Sequence, residues 1–92
     1  MTTSVPEAMP ALLRAQRLGA KAARAQLDGE GCDLHESLGE LETAPDQEQA
    51  LGDVLFELCQ RARRMGVNAE DSLRAANRRF VERCRRHEQE QR

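Results

Sequence analysis

Leu51, Val54, Leu55, Leu58, Ala62 and Met65 recur at i, i+3, i+4, i+7, i+11 and i+14. That spacing lines up side chains on one face of an α-helix and scatters them over both faces of a strand. It fixes the fold class, because the rest of the chain offers strands almost no material. There are 13 Ala and 11 Leu against 4 Val, 2 Phe and no Ile, Tyr or Trp, and β-sheets are built mainly from β-branched and aromatic residues. The sequence predicts an all-α fold.

Three further helices follow from local signals. Pro10 suits a first helical turn, and Leu12, Leu13, Leu18, Ala22 and Ala25 keep helical spacing to about Gln26. Asp28-Gly-Glu-Gly-Cys32 breaks the chain. Leu34, Leu38 and Leu41 mark a second helix that ends near Thr43. The central stripe gives a third, opened by Pro45-Asp46 and closed by Gly66. Asn68, three residues before Asp71, reads as the N-cap of a fourth helix, which carries Leu73, Ala76, Phe80, Cys84 and His87 on one face. Four helices with short connections imply an antiparallel four-helix bundle whose apolar stripes, Cys84 included, form the core.

A chain of 92 residues has room for one domain, residues 1–92, with 1–8 expected to fray. A chain this short buries only about 60–65% of its unfolded surface. With so few large apolar residues the core is thin, and the expected partner is a second copy, in a dimer or tetramer. No apolar run approaches the roughly 18–20 residues of a membrane span, and the N-terminus lacks the basic start and greasy core of an export signal. Three cysteines, Cys32, Cys59 and Cys84, make no even-numbered disulfide framework. A cytoplasmic protein that engages no membrane is expected.

The net charge of −2 hides a segregation along the chain: residues 1–24 carry +3, residues 25–60 carry −10 without a single Lys or Arg, and residues 61–92 carry +5. Solvated helix faces that attract one another on folding are one reading of this pattern. The other is an acidic segment that holds a cation while basic residues meet a phosphate chain. No nucleic-acid partner is expected, since the basic residues lack interleaved aromatics and no recognised motif is present.

Two constellations could carry chemistry. Glu36 and Glu40 lie four apart on helix two, and Asp53, Glu57 and Gln60 lie at i, i+4 and i+7 on helix three. Adjacent helices thus each offer oxygen ligands of the kind Mg²⁺ takes together with substrate phosphates. Acidic residues on helices are nonetheless usually solvated. Cys32-x-x-His35 and Cys84-x-x-His87 could supply four zinc ligands, although a buried cysteine more often packs as a small hydrophobe. There is no glycine-rich phosphate loop and no nucleophile setting.

Leu51-Gly-Asp-Val-Leu-Phe56, then Ala62-Arg-Arg-Met-Gly-Val67, then Leu73-Arg-Ala-Ala-Asn-Arg-Arg-Phe80 resemble the C-terminal half of MazG-type nucleoside triphosphate pyrophosphohydrolases. Met9-Pro-Ala-Leu-Leu-Arg-Ala-Gln16 resembles that family's first helix. The resemblance runs from about residue 7 to residue 88. It implies an all-α, oligomeric protein that cleaves nucleoside triphosphates to monophosphate and pyrophosphate, with Mg²⁺ held by an E-x-x-E on one helix and an E-x-x-D on the next. Carried over by position, the second members are Glu40 and Asp53, while the leading members are Ser37 and Ala50. Two of the four expected carboxylates are therefore replaced. Glu36 and Glu57, one turn from the retained pair, are the available substitutes. On the nucleotide side the resemblance implies Asn77, Arg79 in place of a lysine, Arg83, Arg17 and Lys21. The family's Phe-Asp-Trp loop reads Leu27-Asp-Gly-Glu-Gly here. Two readings stand: an enzyme with impaired activity, or a non-catalytic nucleotide-binding or assembly module on the same fold.

Overall fold

A computed structural model describes residues 5–26 and 33–91. The glycine break at 28–32, the loop at 27–31, Cys32 and the start of the N-terminal stretch expected to fray lie outside the described residues. Helix α1 spans Ala11–Arg24, α2 Leu34–Glu40, α3 Gln47–Arg64 and α4 Ala69–Glu90. A 3₁₀ turn, Leu41–Thr43, continues α2. No strand occurs among the described residues, and the all-α bundle is what the sequence predicts.

The helix starts are fixed by short polar side chains. Asp33 accepts from the Glu36 amide at 3.2 Å, Asp46 from Gln49 at 3.0 Å and Asn68 from Asp71 at 3.0 Å. Each satisfies one of the amides that a helix N-terminus leaves unpaired. The end of α3 is a Schellman turn. Gly66 adopts φ +75°, its amide donates to Arg63 at 3.0 Å and the Val67 amide donates to Ala62 at 2.9 Å. At the end of α1 the left-handed residue is Gln26, φ +57°, in a place that glycine fills more cheaply. Arg61, Arg63 and Arg64 in the last turn of α3, and Glu70 and Asp71 in the first turn of α4, match the helix dipoles.

Packing centres on α1 against α3. Gly19 is buried in α1, and any Cβ there would run into the side-chain amide of Gln60. The missing side chain lets the buried Gln60 reach across and donate to the Ala15 carbonyl at 2.8 Å while accepting from Arg63 Nε at 3.0 Å. Gln16 makes the second crossing. Its Nε2 donates to the carbonyls of Val67 at 2.8 Å and Cys59 at 3.2 Å, and its Oε1 accepts from the Ala69 amide at 3.0 Å. One buried amide therefore joins α1, the last turns of α3, the Gly66 turn and the first residue of α4.

The apolar interior is small. Among the described residues, Val54, Cys59 and Ala62 are the buried hydrophobic ones. The stripe of α3 is only partly core: Val54 and Ala62 are buried, but Leu51, Leu55, Leu58 and Met65 are exposed. On α4, Leu73, Phe80 and Cys84 are exposed as well, which corrects the assignment of Cys84 to the core. The reason is direction. α4 touches α1 and α3 but not α2, and every described residue from Asn77 onward is exposed. Its C-terminal half projects as an arm. The radius of gyration is 16.6 Å, against about 12 Å for a compact domain of this length.

Replacing Gln16 by Ala leaves two carbonyls and one amide without their partner and should cost about 2–4 kcal/mol, read as a lowered urea midpoint. Gly19→Ala gains helix propensity yet displaces Gln60. The net expected is a loss of about 1–2 kcal/mol in the same measurement, and a rise in stability would disprove the close contact.

Candidate functional site

The carboxylates expected to hold a cation lie on α2 and α3 in different settings. Glu36 sits in the first turn of α2, and Glu40 closes it where the chain passes into the 3₁₀ turn; both are exposed, as is Asp53 on α3. Glu57 differs: its side chain is 10% exposed, and its Oε1 lies 3.2 Å from Arg64 Nη2 and 3.7 Å from Arg61 Nε. The positions that precede the retained pair, Ser37 and Ala50, are half-buried and neutral.

Among the described residues no three His, Cys, Asp or Glu side chains form a group that could hold a metal ion. Mg²⁺ demands near-octahedral oxygen donors at about 2.0–2.1 Å and gives up water reluctantly. Among the described residues the carboxylates do not gather into an all-protein cage for a dication. Glu57 already faces two guanidinium groups whose charge a cation would have to displace. For zinc, His35 rides on α2 and Cys84 and His87 on α4, helices that do not touch; Cys32 is outside the described residues. His87 Nε2 instead lies 3.0 Å from Gln91 Nε2 on its own helix.

The basic side gathers on α4. Arg79 and Arg83, expected from the sequence, line an open concavity of about 600 Å³ together with Ala75, Arg78, Glu82 and Arg86. Arg78 and Arg86 went unrecognised in the sequence, although 78, 82 and 86 share a face at i, i+4 and i+8. The Arg83 guanidinium sits 5.9 Å from the centre of the exposed Phe80 ring, in cation–π range. Asn77 is exposed on the same helix but does not line the concavity. Arg17 is exposed on α1, and Lys21 is half-buried and engaged with a partner. Four guanidinium groups on one helical face suit phosphate oxygens, which they can clamp in bidentate fashion.

Among the described residues, no ion pair joins a carboxylate of α2 to an arginine of α4. The ion pairs found are local: Glu57 with Arg61 and Arg64, and Arg74 with Glu70 and Asp71. The carboxylates of α2 and the arginines of α4 remain apart.

Glu57→Gln should lower stability by about 1 kcal/mol in thermal or urea unfolding. Burial pushes the Cys59 thiol up, and the Glu70 carboxylate adds to the effect, whereas Cys84 is exposed. In a Cys32→Ser chain, iodoacetamide at pH 8 should therefore alkylate Cys84 rapidly and Cys59 only on unfolding; equal rates would contradict the packing around Cys59.

The comparisons with known proteins agree with the residue pattern. No family model matches the chain, and no solved structure matches it significantly. The chain is 34% identical over 89 residues to the nucleoside triphosphate pyrophosphohydrolase/pyrophosphatase MazG of Thermotoga maritima, an alignment covering 88% of this chain and 35% of that protein. To the nucleoside triphosphate pyrophosphohydrolase of Escherichia coli K12 it is 33% identical over 94 residues, covering 88% of this chain and 36% of the relative. The chain spans about a third of the length of these curated relatives. With helices, blocks and relatives in agreement, the chain belongs to the MazG-like family.

Proposed function

We propose that this MazG-like chain binds nucleoside triphosphates and hydrolyses them to monophosphate and pyrophosphate weakly or not at all. The observation that carries the reading is the neutral pair Ser37 and Ala50 at half-buried positions on α2 and α3, where the family pattern calls for carboxylates. The names of the relatives supply the substrate class. The arginine face of α4 supplies the binding chemistry.

In this reading Arg79 and Arg83, joined by Arg78 and Arg86, hold the phosphate chain by charge-assisted hydrogen bonds. Asn77 donates or accepts at the edge of the same helix, and Arg17 and Lys21 on α1 add positive potential. Glu40 and Asp53, with Glu36 one turn before Glu40 on α2, are the carboxylates that would meet a Mg²⁺ ion carried in with the triphosphate. Two carboxylates plus phosphates and water suffice for such an ion to dock. They are half of the charge that would fix it for attack by water, so turnover suffers more than binding. Glu57 contributes little while Arg61 and Arg64 face it.

The test is restoration. Ser37→Glu combined with Ala50→Glu should raise Mg²⁺-dependent pyrophosphate release from mixed nucleoside triphosphates by at least about tenfold over the unmodified chain. Arg79→Ala with Arg83→Ala should remove the thermal shift produced by Mg²⁺ and nucleotide. Robust pyrophosphate release by the unmodified chain, unchanged in the restored variant, would overturn the impaired-site reading. If no nucleotide shifts the melting temperature of either chain, nucleotide binding itself fails and the assembly module is what remains.

A further inference from the structure

An exposed aromatic ring stands beside the arginines of α4. Phe80 is 59% exposed, and the Arg83 guanidinium lies 5.9 Å from the centre of its ring. Arg83 also lines the concavity proposed for the phosphate chain, next to Arg79. It therefore sits between an anion-binding hollow and an uncovered π-face.

A nucleotide needs both. Guanidinium groups meet its phosphates, whereas its base is a flat plate that proteins hold by stacking on an aromatic ring or an arginine plane. This chain has few rings to offer. Its 92 residues include two Phe and no Tyr or Trp, so the aromatic ring that stacks a base is Phe56 or Phe80. Phe56 is 46% exposed on α3, whereas the cation–π contact found among the described residues belongs to Phe80. Phe80 and Arg83, three residues apart, are neighbours on the helix surface. A ligand spans the two without bridging helices, and every described residue from Asn77 onward is exposed and open to it.

We infer that Phe80 is the stacking surface for the base of a bound nucleoside triphosphate, with Arg83 as the joint between the ring and the phosphate hollow. The inference rests on the nucleotide-binding reading proposed above and adds which ligands that site prefers. A ring has two faces, and the exposure of Phe80 leaves room for a base opposite the guanidinium. Stacking is tolerant of base identity because every base has a π-face, and its strength grows with the size of the base. The site therefore ranks purine above pyrimidine nucleotides and separates adenine from guanine little.

The experiment separates the base from the phosphates. Isothermal titration with Mg²⁺ present compares ATP, UTP and inorganic tripolyphosphate, which carries the phosphate chain without a base. ATP should bind the unmodified chain about tenfold more tightly than tripolyphosphate, as one stacked base provides, with UTP between them. Phe80→Leu keeps an apolar side chain at an exposed position; it should bring ATP down to the affinity of tripolyphosphate and leave tripolyphosphate unchanged. Phe80→Trp should restore the difference, and Phe56→Leu should alter neither probe. With ATP bound, the adenine H8 proton should show a nuclear Overhauser effect to a phenyl ring that disappears in Phe80→Leu. Equal affinity of the unmodified chain for ATP and tripolyphosphate would overturn the proposal and leave the phosphate site standing. Equal weakening of both probes by Phe80→Leu would overturn it too, because the ring would then only hold Arg83 in place. Failure of all three probes to bind would remove the nucleotide reading itself, and this inference with it.

Discussion

The side-chain amide of Gln16 is the interaction on which the remainder of the structure depends. α1, α3 and the start of α4 converge beside the buried Cys59, and a single buried carboxamide meets two carbonyls and one amide there. Its geometry is determinate: two donors and two lone pairs must find partners in fixed directions. An apolar residue at this place would pack, but it would not specify how α4 leaves α3. Gln60 repeats the device one layer away, and Gly19 makes room for it. Buried polar groups of this sort are costly unless satisfied, and these two satisfy one another's backbones across the α1–α3 seam.

Much of the architecture was legible in the sequence because helix termini are local. Pro10, Asp46, Asn68 and Gly66 mark boundaries through hydrogen bonds and φ angles that involve a few neighbouring residues, and the structure places the helix ends within one or two residues of those marks. Burial was less legible. The stripe from Leu51 to Met65 has perfect helical spacing, but spacing says only that the residues share a face, not that the same chain covers that face. Leu51, Leu55 and Leu58 belong to a surface; Val54, at the edge of the stripe, belongs to the core. Gln16 and Gln60 escaped notice as structural residues for a related reason. A glutamine on a helix gives no sign in sequence of whether its amide meets water or backbone.

The candidate site shows the same division. The positions of Glu40, Asp53, Ser37 and Ala50 follow from pattern alone, and so does the replacement of two carboxylates. That Glu57 is turned toward Arg61 and Arg64 does not follow from its place beside Asp53, because Arg64 lies two turns away along the helix and meets the carboxylate only through its long side chain. The basic face was half visible. Arg79 and Arg83 came from the resemblance, whereas Arg78 and Arg86 join them only once α4 is seen to stand clear of its neighbours. Among the described residues the carboxylates of α2 and the arginines of α4 lie on helices that do not touch, and the acidic and basic segments meet only where Glu57 pairs with Arg61 and Arg64.

The contact between the Ala69 amide and Gln16 sets more than a helix start. α4 has 22 residues, a rod of about 33 Å at 1.5 Å per residue, held at one end. Its projecting part, from Asn77 to Glu90, is about 21 Å long, and a tilt of about 10° of the helix displaces its far end by about 3–4 Å relative to Asn77, more than the roughly 2.3 Å radius of the helix backbone. The hydrogen-bonded corner of Gln16, Val67 and Ala69 therefore works as the fulcrum of a lever: fractions of an ångström at a buried amide decide where a line of arginines points.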